Sequence, residues 1–187
     1  MVAEVSDATL LRNEAPEGGG AYLGTGASAL LTSFASDWGI DADDNIWTTD
    51  VAGHVVYKFN LVGRILMVLG VRGRPGEWHD FGHLRLFNEP NEAVVGPTGE
   101  LFVLQGHGKG ESLVLKFDRD GNFIKTWGKK GRGPGEFDLP HSLVFDAQGL
   151  LYIADRNNAR IQVFDENGKF LDAWPNVRRP YSLLLSE

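Results

Sequence analysis

The chain contains no cysteine, so any metal or proton-transfer chemistry falls to nitrogen and oxygen side chains, and its five histidines come first. His141 stands in "PHSL" (140–143), and Arg156 follows in "ADRN" (154–157). A neutral imidazole serves either as a metal ligand or as a base, and a guanidinium fork matches a carboxylate. Each has a plainer reading: His141 as a lining or structural residue, and Arg156 as a turn cap or partner of Asp155. His107, in "LQGHGKG" (104–110), is a further candidate ligand or base. His79 and His83 have the i, i+4 spacing of helical zinc ligands, but Gly82 lies between them and no general-base glutamate accompanies them. They read as part of a loop insertion, and His54 reads as a packing or turn residue. Two glycine-rich stretches, "GVRGRPGE" (70–77) and "GRGPGE" (131–136), precede strands rather than helices, so they lack the helix N-terminus that a phosphate cradle needs. No nucleophile elbow or dinucleotide fingerprint is present.

The elements that must hold these residues repeat. Three segments align: "GIDADDNIWTTDVAGHVVYKFN" (39–60), "VVGPTGELFVLQGHGKGESLVLKFD" (94–118) and "VFDAQGLLYIADRNNARIQVFD" (144–165). Equivalent residues Asp50, Gln105 and Asp155 lie 55 and then 50 residues apart. Each unit begins with a short apolar strand and a turn rich in Asp, Gly and Asn. A second strand follows (46–49, 101–104, 151–154), then a polar loop and a third strand ending at Phe59, Phe117 or Phe164. A fourth strand comes last: "RILMVLG", "NFIKTWG" or "KFLDAWP". The period-two alternation of "RIQVF" suits a pleated strand, and "DAQG", "DRDG" and "DENG" supply the self-bonding Asp and left-handed Gly of tight turns. Four antiparallel strands in about 50 residues describe a β-propeller blade, which buries its two faces only by stacking on its neighbours.

The fold class expected is therefore all-β, a propeller segment over 31–187, with 1–30 a loop, a disordered lead-in or part of a blade. "RRPYSLLLSE" (178–187) aligns with "DLPHSLVFDA" (138–147), as though a further blade begins there. Three blades and two partial ones fall short of the 4–8 that close a propeller, which suggests a piece of a longer chain. Trp38, Trp47, Trp127 and Trp174 recur at blade positions and are expected between sheets, with Trp78 in the insertion partly exposed. A formal charge of −7 argues against nucleic-acid binding, and no apolar run nears the ~20 residues of a membrane span. "MVAEVSDATLLRNEAPEGGG" lacks the features of a secretion signal.

The stretch 131–174 resembles an NHL repeat: "GEFDLP" (135–140), "DAQGLLYIAD" (146–155) and "NARIQVF" (158–164) match that repeat's opening, centre and third strand. The resemblance implies six blades in the complete protein. Among NHL proteins the chain is most similar to the peptidyl-α-hydroxyglycine α-amidating lyases, through "DNIWTTDVAGHVVYKF" (44–59), "PHSL" and "ADRNNARIQVF" (154–164). That family cleaves a carbinolamide C–N bond to a peptide amide and glyoxylate at a zinc held by three histidines, aided by a tyrosine and arginines. Carried over, the resemblance implies that His141 is a zinc ligand and Arg156 an active-site arginine that binds the substrate carboxylate. Ser36 occupies an earlier ligand position, His107 stands where the catalytic tyrosine is expected, and the third ligand would lie beyond Glu187. The implied cofactor is zinc, with a structural calcium for which no residue is assigned. Two readings stay open: a zinc lyase of the amidating type, diverged or incomplete, and a non-catalytic module binding a peptide, carbohydrate or protein at its channel mouth.

Overall fold

The computed structural model describes residues 3–5, 8–12, 21–25, 29–31, 38–78, 85–108 and 110–185, the first four stretches as backbone strands only. Those strands, β1 (Ala3–Val5), β2 (Ala8–Arg12), β3 (Ala21–Thr25) and β4 (Ala29–Leu31), form two two-stranded sheets. Three four-stranded antiparallel sheets follow, each a meander in sequence order. The first comprises β5 (Trp38–Ile40), β6 (Ile46–Asp50), β7 (Val55–Phe59) and β8 (Ile65–Gly70). The second comprises β9 (Pro90–Val95), β10 (Leu101–Gln105), β11 (Leu113–Phe117) and β12 (Phe123–Trp127). The third comprises β13 (Pro140–Phe145), β14 (Leu151–Asp155), β15 (Arg160–Phe164) and β16 (Phe170–Pro175). Among the described residues there is no helix, hence none long and apolar enough to cross a membrane.

Tight turns explain where the strands stop. In the loops closed by Asp118, Asp146 and Asp165, one carboxylate oxygen accepts two backbone N–H groups two and four residues ahead, and the glycine three residues on has positive φ. Asp41 and Asn60 close the same turn in the first blade, where Asp44 adopts the left-handed conformation with φ 59°.

The sheets stack so that each strand of the middle blade serves two cores. Along β10, Leu101 and Val103 enter the cluster shared with the first blade, beside Trp47, Val56 and Phe87. Phe102 and Leu104 enter the cluster shared with the third blade, beside Leu143, Ile153 and Phe164. Period-two alternation thus places an apolar residue on both faces, and all five β10 residues are buried. Each such Leu or Phe contributes roughly 1.5–3 kcal/mol relative to exposure. The fourth strands β8, β12 and β16 are more exposed. Trp78, expected at the surface of an insertion, is instead buried at 6% exposure against Phe87, Phe117 and Phe123. Trp174 is 46% exposed and packs on Tyr152 within its own sheet. Residues 178–185 carry no strand, because no described segment pairs with them, yet they lie along β13 as the repeat alignment anticipates.

Candidate functional site

The innermost strands begin with an unusual backbone. Leu139 has φ 52° immediately before Pro140, although a residue preceding proline ordinarily stays extended. Pro140 pairs with Asp155 and Ser142 with Ala154, so His141 is the extra residue of a β-bulge. The second blade repeats the device: Glu89 has φ 56°, Pro90 follows, and Asn91 is the bulged residue. Arg179, at φ 46°, precedes Pro180 and Tyr181 in the same way. Asn91, His141 and Tyr181 therefore occupy one position in successive blades.

His141 is buried, at 6% exposure. Burial pushes its pKa down to about 4, with the charges of His107 and Arg156 adding to the effect and a hydrogen bond to the Tyr181 carbonyl opposing it. The imidazole is thus neutral near pH 7, the form a metal or a proton requires. His107 lies on the loop after β10, its ring edge-on to that of His141 at 5.7 Å between centroids. Among the described residues no group of three His, Asp or Glu is arranged to hold a metal ion, zinc or calcium.

Arg156 directly follows β14, with its guanidinium carbon 5.6 Å above the ring of Tyr181. Its Nε is buried and has no hydrogen-bond partner among the described residues. The plainer expectation, a pairing with Asp155, does not hold. The Asp155 carboxylate is fully buried and accepts from Asp138 N, Asn158 Nδ2, Arg160 Nε and Gln162 Nε2, with Arg160 as its ion-pair partner at 2.7 Å. The turn 155–160 carries Arg160 back alongside Asp155 in the β14–β15 pairing, leaving Arg156 to face the inner end of the blade.

The structure thus brings together His107, His141 and Arg156. Ser36, His79 and His83 lie outside the described residues. His54 is a turn residue at φ 58°, its Nδ1 accepting from Glu89 N at 3.1 Å. Sequence reasoning missed Tyr181 as a member of the site, although the alignment of Pro180 with Pro140 placed it in register with His141.

Comparison with known proteins agrees with this architecture. Residues 137–164 match the NHL repeat model. The chain is 37% identical over 143 residues to the NHL repeat-containing protein 3 of Mus musculus, covering 74% of this chain and 40% of that one. It is 41% identical over 140 residues to peptidyl-glycine alpha-amidating monooxygenase A of Xenopus laevis, covering 71% of this chain and 14% of that one. It is 33% identical over 150 residues to the peptidyl-alpha-hydroxyglycine alpha-amidating lyase 1 of Drosophila melanogaster, covering 73% and 26% respectively. The chain therefore spans two fifths or less of the length of each of these homologues. Among solved structures, the RRP9 WD40 repeats align with a TM-score of 0.54 at 13% identity over 94% of this chain and 44% of that one. Streptogramin B lyase aligns with a TM-score of 0.53 at 14% identity over 75% of this chain and 40% of that one. At such identities these two bear on the fold alone.

Proposed function

We propose that this NHL-repeat β-propeller chain carries part of an amidating-lyase site, in which His141 serves a zinc ion, His107 acts as the base and Arg156 receives the carboxylate of an α-hydroxyglycine group. The observation that carries the reading is the buried, unpartnered Nε of Arg156 beside two neighbouring imidazoles, one of them neutral. A buried guanidinium N–H without an acceptor costs stability, so its retention points to an anionic ligand that completes it. Homology to the amidating lyases selects the ligand class: a peptide ending in α-hydroxyglycine, which carries a carboxylate and a hydroxyl on one carbon.

Arg156 orients the carboxylate and fixes the carbinol carbon toward the imidazoles. His107, only partly buried, takes the hydroxyl proton at a ring nitrogen and returns it to the departing amide nitrogen as the C–N bond breaks. The products are the peptide amide and glyoxylate. Zinc, when bound, supplies a Lewis acid for the substrate oxygen. The test is elemental analysis of the protein together with glyoxylate release from a synthetic peptidyl-α-hydroxyglycine. About one zinc per chain, lost in His141→Ala, and glyoxylate release at least tenfold lower in Arg156→Ala are expected. Absence of both zinc and glyoxylate release overturns the reading in favour of a non-catalytic propeller that binds a peptide, carbohydrate or protein.

A further inference from the structure

The geometry points to Tyr181 as a positioning residue: its main-chain carbonyl holds His141 as the Nδ1–H tautomer, and its ring braces the imidazole and the Arg156 guanidinium together. Nε2 is then the one nitrogen of His141 with a lone pair to offer a ligand. The role of that lone pair rests on the zinc reading above, whereas the tautomer does not.

His141 Nδ1 lies 3.0 Å from the carbonyl oxygen of Tyr181. A carbonyl oxygen only accepts, so the proton of the neutral ring sits on Nδ1. The Tyr181 ring lies over the imidazole at 3.7 Å between centroids and 33° between planes. Its ring also carries the Arg156 guanidinium, 5.6 Å from the centroid, within the range of a cation–π contact. One side chain thereby fixes the orientation of two site residues from a blade that it does not belong to.

The contact is one of a series. Asn91 Nδ2 donates to the carbonyls of Pro140, at 2.7 Å, and His141, at 3.3 Å. His141 Nδ1 makes the equivalent bond to the carbonyl of Tyr181. The following residue reciprocates each time: the Glu92 carboxylate accepts from Leu143 N, and Ser142 Oγ accepts from Leu183 N at 3.1 Å. Each bulged residue thus donates forward to its counterpart in the next blade, and its neighbour accepts a backbone N–H from that blade. Asn91 shows that an amide makes the same link, so His141→Asn keeps the forward bond and removes the ring nitrogen that faces a ligand.

The test is a long-range 15N–1H correlation spectrum of histidine-labelled protein at pH 7.5, with the His141 signals assigned by their loss in His141→Asn. The wild type is expected to show the Nδ1–H tautomer, the opposite of the Nε2–H form that a free histidine side chain prefers in water. Tyr181→Phe and Tyr181→Leu both retain that pattern, since each keeps the main-chain carbonyl, and the urea midpoint of each stays within about 10% of wild type, Tyr181 being 57% exposed. Titration with zinc alone gives affinity about tenfold weaker in Tyr181→Leu and unchanged within about twofold in Tyr181→Phe. An Nε2–H tautomer in the wild type, or a zinc affinity in Tyr181→Leu within about twofold of wild type, overturns the inference. Failure of the wild type to bind zinc, with the Nδ1–H tautomer present, removes the zinc reading and leaves the positioning by Tyr181 standing.

Discussion

Replacing Asp155 by asparagine probes the network that anchors the third blade. The carboxylate has no solvent exposure and accepts from four donors between 2.7 and 3.0 Å. Its partner Arg160 also donates to the carbonyls of Arg132, Gly133 and Glu136, pinning the loop ahead of β13. In Asp155→Asn the new amide N–H groups would confront donors of Asn158, Arg160 and Gln162, and the guanidinium loses its counter-charge. Breaking one side of a buried pair costs about 3–5 kcal/mol, and the donor-on-donor contacts place this change toward the upper end. For a chain of this size that is a fall in Tm of about 6–20 °C. Urea unfolding followed by tryptophan fluorescence measures it, with Arg160→Met and the double variant completing a cycle. The double variant should cost less than the sum of the singles by at least about 1.5 kcal/mol, because the first change already removes the partner. A cost under about 1 kcal/mol for Asp155→Asn, or additivity within about 0.5 kcal/mol, refutes the account.

Gln105 occupies the Asp155 position of the second blade, opposite Leu113 rather than an arginine, and its Nε2 has no partner. Gln105→Glu should therefore destabilise by about 3 kcal/mol or more in a urea series at pH 7, since Gln105 has no cation paired with it among the described residues. Gly168, at φ 77°, turns the β15–β16 hairpin against Trp127, where an added Cβ would lie 2.5 Å from the indole. Gly168→Ala should cost about 2–3 kcal/mol, and an unchanged midpoint would discount that contact. Asp41 is partly buried, which alone would raise its pKa, but the Lys58 ammonium and the amides of Asn45 and Asp43 bring it down to about 2 from 3.8. A depressed carboxylate stabilises the fold fully above the unfolded value and loses that contribution as pH falls from about 3.8 to about 2. Comparing Asp41→Asn with the parent at pH 5 and pH 2.5 should show the gap narrow by about 1–2 kcal/mol, the pair at 2.8 Å being only 13% exposed on each side.

The blades were legible because their signals are local. The period-two strands and the Asp-x-x-Gly turns each set a few residues of backbone, and the observed second strands extend the expected spans by only one residue, to Asp50, Gln105 and Asp155. The meeting of His107, His141 and Arg156 was anticipated through motif resemblance. What the sequence concealed depends on how the chain returns on itself. "DRNNAR" offers Asp155 two arginines, and only the turn, with Ala159 at φ 52°, determines that Arg160 pairs with it while Arg156 stays free of it. Trp78 lies in a stretch of polar and glycine neighbours, and its aromatic partners come from positions 87, 117 and 123. Tyr181 was visible as a repeat position, but its stacking on His141 arises between blades, where no local pattern reports it.

The forward links between blades also bear on how such a ring tolerates chemical variety. In each, the receiving group is main chain, present whatever residue stands there, so asparagine, histidine and tyrosine can succeed one another around the axis without a matched exchange next door. Cohesion is assigned to the backbone of one blade and a single polar side chain of its predecessor. The inward tips are thereby left open to diversify, and a binding centre can be assembled or dismantled one position at a time while the barrel of sheets stays intact.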